Sequence, residues 1–134
     1  MANQADMARR ALDLYKEGSL RSAFVAVDPT QMRTVLAAFE QAGSLEEQEV
    51  VLRYQAARLR EKWDGKLVDR LLELCRKAGE GVERTAGQDA DEPKARAAAQ
   101  QLGFIVRMHK VAHEEEASRR SGGGAPQGDK RGRR

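Results

Sequence analysis

His109 and His113 stand four residues apart, a spacing that on a helix brings two imidazoles to one face, where they could share a zinc ion. The sequence between them is Lys110-Val111-Ala112, without the glutamate after the first histidine that a zinc-peptidase helix uses as general base. Glu114, Glu115 and Glu116 follow too closely to share that face cleanly. The chain has no other histidine, and its single cysteine, Cys75, lies in the apolar run Leu71-Leu72-Glu73-Leu74-Cys75 as a small core residue. The expectation is therefore no metal, with one histidine at the core edge and the other on the surface. Ser19, Ser22, Ser44, Ser118 and Ser121 fall in caps, links or tail, and none sits in a nucleophile elbow. There is no P-loop and no GxGxxG, and Gly79-Glu80-Gly81 is too short to cradle a phosphate. Periodicity pairs no carboxylates on an inward face for acid–base work. The expectation is that the chain is not an enzyme and takes no cofactor.

What remains is positive charge. Between Val50 and Lys77 stand eight basic residues against four acidic ones. Within that stretch Arg58, Lys62, Lys66 and Arg70 follow one another at i,i+4. On a continuous helix they would line one edge, beside Leu59, Trp63, Leu67 and Leu71. A turn at Asp64-Gly65 would instead divide them between adjacent helices. Either way the charge is gathered, and a row of cations suits a phosphate backbone. The alternative is a solvated helix face with Glu61 and Asp69 as partners. Gln31-Met32-Arg33 adds an amide and a guanidinium at a helix start, a plausible contact for phosphate or for a partner protein.

The overall charge hides this distribution. Residues 1–117 carry 18 Lys+Arg and 20 Asp+Glu, a net of −2, whereas residues 118–134 carry 6 and 1, a net of +5. The last 17 residues have five glycines and no large apolar side chain, so a disordered basic tail is expected from Ser118 to Arg134. That tail either solubilises the chain or holds phosphates by charge alone.

The 134-residue chain suits one domain, which the sequence places at residues 1–117. Aromatics make up only 4%, so Leu, Val, Ile, Met and Ala must form the core, and no strand-like runs occur. The expected architecture is all-α, a compact bundle of about five helices. The first spans about Gln4–Glu17, with Met7, Ala11, Leu14 and Tyr15 on one face. Leu20 to Val27 is an apolar connection, open between loop and partial helix. The second helix starts at Asp28-Pro29 and buries Met32, Val35, Leu36 and Phe39. The third begins with the capping box Ser44-Leu45-Glu46-Glu47, and its stripe runs Leu52, Ala56, Leu59, Trp63 with Gln48 as a gap. The fourth runs from Lys66 to about Ala78 with Leu67, Leu71, Leu74 and Cys75 inward, and Thr85 to Glu92 reads as a loop. The fifth opens at Asp91-Glu92-Pro93 and carries Ala95, Ala98, Leu102, Ile105, Val106, His109 and Ala112. No stretch of about 18 apolar residues occurs, so no membrane span is expected. Residues 1–10 lack a signal-peptide core, and a lone cysteine fits a reducing cytoplasm.

Three short elements, in order, resemble the small helical subunit of the CRISPR type III-A effector, the Csm complex. They are Gln31-Met32-Arg33 after a capped helix start, Val51-Leu52-Arg53-Tyr54-Gln55-Ala56-Ala57-Arg58, and the closing Val106-Arg107-Met108-His109-Lys110. The likeness covers residues 28–112. It implies a non-catalytic role: copies of the subunit stand beside the proteins that hold the guide RNA and line the path of the target RNA in antiviral defence. By that match Arg33, Arg53 and Arg58 are the RNA-binding candidates, with Gln31 in support, and the charge row adds Lys62, Lys66 and Arg70. The implied partners are guide and target RNA and the other effector subunits. Self-association through apolar faces stays open. The rival readings are a small helical adaptor that binds protein and a DNA-associated helical protein.

Overall fold

The computed structural model describes residues 4–59, 62–82 and 91–124, and its regular structure is helical throughout. Helix α1 is Gln4–Lys16, α2 Arg21–Ala26, α3 Pro29–Gln41, α4 Leu45–Arg58, α5 Gly65–Glu80 and α6 Asp91–Gly124. The all-α bundle expected from composition is what forms. The connection left open in sequence is a 3-10 turn at Gly18–Leu20 followed by α2, and it buries Leu20, Phe24 and Val27.

Local chemistry explains the starts. The Asp28 carboxylate accepts from Thr30 N at 2.8 Å, and Pro29 takes the first position of α3, where its missing N–H costs nothing. Ser44 Oγ accepts from Glu47 N at 3.1 Å while Glu47 Oε1 accepts from Gly43 N at 3.2 Å, so two donors at the start of α4 are satisfied reciprocally. The Asp64 carboxylate accepts from Lys66 N at 2.8 Å and starts α5.

That last cap corrects the third helix. Its apolar spacing extends the stripe to Trp63, yet α4 stops at Arg58. Lys62 N and Trp63 N both donate to Leu59 O, at 2.8 and 3.2 Å, so the chain turns once and enters α5. Trp63 is buried all the same, delivered by the turn instead of a helix face. A second difference lies at the far end. Helix α6 continues through residues 118–124, the first part of the expected tail. Arg119 Nη1 stands 3.1 Å from Glu116, one turn back, and no proline intervenes until Pro126. The remainder of the expected tail, and most of the expected loop before Asp91, fall outside the described residues.

Helix α6 is the centre, with every other helix packing against it. Its first turns bury Ala95, Ala97, Ala98 and Ala99, small residues that let neighbours approach from several sides, and Leu102, Ile105 and Ala112 continue the core. The closest approach falls at Gly79 on α5. A Cβ there would lie 3.1 Å from the backbone oxygen of Lys94 and 3.0 Å from a Leu45 methyl. Gly79→Ala should therefore forfeit most of the usual gain of about 1 kcal/mol for replacing a helical glycine. Gly79→Val should destabilise by about 2–3 kcal/mol through overpacking, measurable by urea denaturation.

Three glutamines and a histidine enter the interior. Gln48, read as a gap in the stripe, is fully buried and ties α3 to α6, since Nε2 donates to Phe39 O at 3.1 Å and to Ala95 O at 2.7 Å. Gln101 Nε2 donates to Met7 O at 2.9 Å, and Arg10 donates to Gln101 Oε1 at 3.2 Å, which fastens α1 to α6. Gln55 on α4 donates to Gln31 on α3.

Candidate nucleic-acid interface

The helix break at Arg58 decides the fate of the cation row. Arg58 ends α4, Lys62 lies in the turn, and Lys66 and Arg70 belong to α5. The row is thus divided, and its members differ in what surrounds them.

Arg53 and Arg70 are held by carboxylates. Arg53 Nε donates to Glu49 at 2.8 Å, and its Nη2 stands 3.6 Å from Asp69 across the α4–α5 seam. Glu49 also receives Arg76 Nη2 at 2.7 Å. Arg70 reaches Glu17, beyond the end of α1, at 3.2 Å and Glu73 at 2.8 Å, and Lys77 approaches Glu73 at 3.7 Å. The charges perturb one another accordingly. The Arg53 hydrogen bond holds the Glu49 carboxyl below its ordinary value, and the Arg70 hydrogen bond does the same for Glu73. The bonds from Glu49 and Glu73 in turn raise Arg53 and Arg70.

Arg58, Lys62 and Lys66 are different. All three are exposed, and none has an ion-pair partner among the described residues. Arg58 rests over the Tyr54 ring at 5.8 Å, an arrangement that leaves its charge uncancelled. They lie where α4 turns into α5, Arg58 at the end of one helix, Lys62 in the turn and Lys66 in the first turn of the next.

Gln31 and Arg33 part company. Gln31 is half-buried and accepts from Gln55, so its amide is occupied at the α3–α4 seam. Arg33 is exposed on the flank of α3 that faces α6, with Thr30 Oγ1 at 3.4 Å. The two share a helix turn in sequence, yet they serve opposite sides of α3.

His109 is committed to structure. His109 Nε2 donates to Val27 O at 2.8 Å, and the ring meets Phe24 edge-on at 5.1 Å. Burial holds its pKa below the ordinary imidazole value. It is 1% exposed, deeper than the core edge expected of it, because α2 and the turn after it cover that face of α6. The His113 ring lies 5.7 Å away, centroid to centroid, and no cluster of three or more metal-ligating side chains forms among the described residues. Burial pushes the Cys75 thiol up to about 12, so it stays protonated and inert as expected of a core residue.

One polar cluster escaped the sequence reading. Tyr15 donates its hydroxyl to Glu115 at 2.7 Å, and Arg21 reaches the same carboxylate at 3.1 Å while lying 5.3 Å over the Tyr15 ring. The hydrogen bond to Glu115 raises the Tyr15 pKa. Glu115 stands 100 positions from Tyr15 and 94 from Arg21, beyond any local spacing rule. The cluster fastens α1 and α2 to the far half of α6.

No helix among the described residues is long and apolar enough to cross a membrane. Comparison with protein-family models, with curated proteins and with solved structures finds no match to this chain.

Proposed function

We propose that this chain is a non-catalytic, RNA-binding structural subunit of a cytoplasmic ribonucleoprotein, of the kind that the resemblance to the CRISPR type III effector small subunit implies. The observation that supports it is the trio Arg58, Lys62 and Lys66 where α4 turns into α5, without ion-pair partners among the described residues, set against Arg53 and Arg70, which carboxylates hold. Uncancelled cations on a helical frame attract phosphates without reading bases. Pairing with a guide RNA would supply the sequence specificity, so the subunit needs only to hold the backbone of the paired strand. Three cations bind weakly alone, and neighbouring subunits would raise the affinity through effective concentration.

The test is a tagged pull-down from the native cell, with mass spectrometry of the proteins and sequencing of the RNA. Large backbone proteins together with short repeat-flanked RNAs are expected. Recovery of one unrelated protein without RNA would overturn the proposal in favour of an adaptor. Recovery of duplex DNA would point to the DNA-associated reading.

A further inference from the structure

Helices α3 and α6 do not close on each other along their outer edge. Between them, with Gln4 of α1 at one end, runs a half-open groove of about 700 Å3. Leu36, Ala99, Gly103 and Val106 line it. A second hollow of about 290 Å3 shares Arg33, Val106 and Arg107 with the first and carries the groove on to Pro29 and Lys110.

Two observations mark this groove as more than a seam. The first is Gly103, a glycine in mid-helix. Glycine weakens a helix interior, and packing usually justifies it. At Gly79 packing does so. At Gly103 a Cβ would meet nothing within 4 Å, so the missing side chain deepens the groove and makes room for no neighbour of its own fold.

The second is charge. Arg33, Arg107 and Lys110 surround the Pro29–Val106 end, and no carboxylate lines that hollow. Arg107 rests over the Phe104 ring at 5.0 Å, and Lys110 meets Glu114 at 3.3 Å in a pair whose side chains are 65% and 67% exposed. So exposed a pair yields readily to a competing anion. The opposite end is mixed, with Glu40 and with Glu92 at 4.0 Å from Arg96.

We infer that this groove is a docking site for an acidic amphipathic helix of another protein, which lays its apolar face on the floor and its carboxylates against Arg33, Arg107 and Lys110. From Arg96 to Lys110 the floor helix rises about 21 Å, the length of roughly four helical turns. A helix in such a groove is anchored by apolar residues at i, i+3, i+4 and i+7, with flanking charge setting its orientation. A nucleic acid fits less well: the floor is apolar, and its one ring, Phe104, lies under Arg107, so no base can stack on it there. Arg58, Lys62 and Lys66, which support the RNA proposal, take no part in the groove; Arg33, an RNA candidate by the resemblance, is the one residue in common, and the oligouridylate control below separates its two roles.

The probe is a fluorescein-labelled synthetic helix of about fifteen residues, leucine on one face and glutamate on both flanks. Its lysine counterpart and a single-stranded oligouridylate are the controls, and anisotropy is read on the full chain. The glutamate peptide should bind and the lysine peptide should not. R33E/R107E should weaken binding at least about tenfold, and so should G103L, which fills the floor. Far-UV circular dichroism checks the fold of G103L, and the surface pair R33E/R107E keeps the test decisive if that variant misfolds. Absence of binding, equal binding of both peptides, or binding indifferent to the variants overturns the inference. So does loss of oligouridylate with R33E/R107E while the peptide stays bound, which would make the groove a nucleic-acid surface. Self-association abolished by the variants, without peptide binding, would overturn it in favour of a second copy.

Discussion

Charge reversal of Arg58, Lys62 and Lys66 together should weaken binding of single-stranded RNA by about tenfold to a hundredfold near physiological salt. Each phosphate contact removed should also lower the slope of log Kd against log salt by about 0.7. The paired arginines serve as the control. R53A and R70A should change RNA affinity by no more than about twofold, because Glu49, Asp69, Glu17 and Glu73 already offset those charges. R70A should instead lower stability slightly, by at most about 1 kcal/mol, since it leaves Glu17 and Glu73 without their shared partner. Filter binding over a salt series, alongside urea denaturation, separates the two effects. An equal loss of RNA affinity in all variants would mean that the whole α4–α5 face acts as one diffuse field, and the distinction between paired and unpaired cations would fail.

The second large effect concerns His109 and stability. H109A should cost about 3 kcal/mol, combining a cavity between α2 and α6 with the loss of a buried hydrogen bond to Val27 O. For a chain of this size that lowers the melting temperature by roughly 10 °C. The same residue sets a pH window. Burial depresses the folded-state pKa below the ordinary 6.5, so the unfolded chain takes up a proton first as pH falls. Stability is full above about pH 6.5 and declines on acidification, by up to about 1.4 kcal/mol per pH unit, until the folded state also protonates. Glu49, Glu73 and Glu115 are depressed from 4.5, so the stability they contribute is present above that value and is lost only in more acidic solution. The interval between about pH 5 and 6.5 therefore reports on His109. Urea titrations at several pH values should show the slope in the wild type and a flat profile for H109Q.

Element starts were the legible part of the fold. Asp28-Pro29 and Ser44 with Glu47 announce their helices because a cap is made within four residues, and chemistry so local survives in a linear string, whereas Asp64-Gly65 reads as a turn and proves also to be the cap of α5. Trp63 shows where such inference stops. An i,i+4 step from Leu59 is satisfied by a helix or by a single turn, and the two differ only in what the chain does next. The buried glutamines were illegible for another reason. Periodicity assigns polar residues outward, whereas Gln48 and Gln101 go inward because backbone oxygens on other helices await their amides. Gln48 did leave a trace, since it stands one turn before Leu52 on the buried stripe. The cation row was legible as a composition but not as a set of free charges. Glu17 and Arg70 are 53 positions apart, and only the packed bundle shows that one cancels the other. Arg33 likewise looked like the neighbour of Gln31, and a turn of α3 separates their surroundings.

The central position of α6 has a consequence for how the protein is made. Every other helix rests on a segment that leaves the ribosome after it. At about 5–20 residues per second, the thirty residues from 83 to 112 take roughly 2–6 s to synthesise. During that interval α1 to α5 exist without the helix against which each of them packs. Their apolar faces are open to water, to one another and to neighbouring nascent chains. The nascent protein thus passes through a brief period of aggregation risk on every round of translation, and slow codons between α5 and α6 would lengthen it.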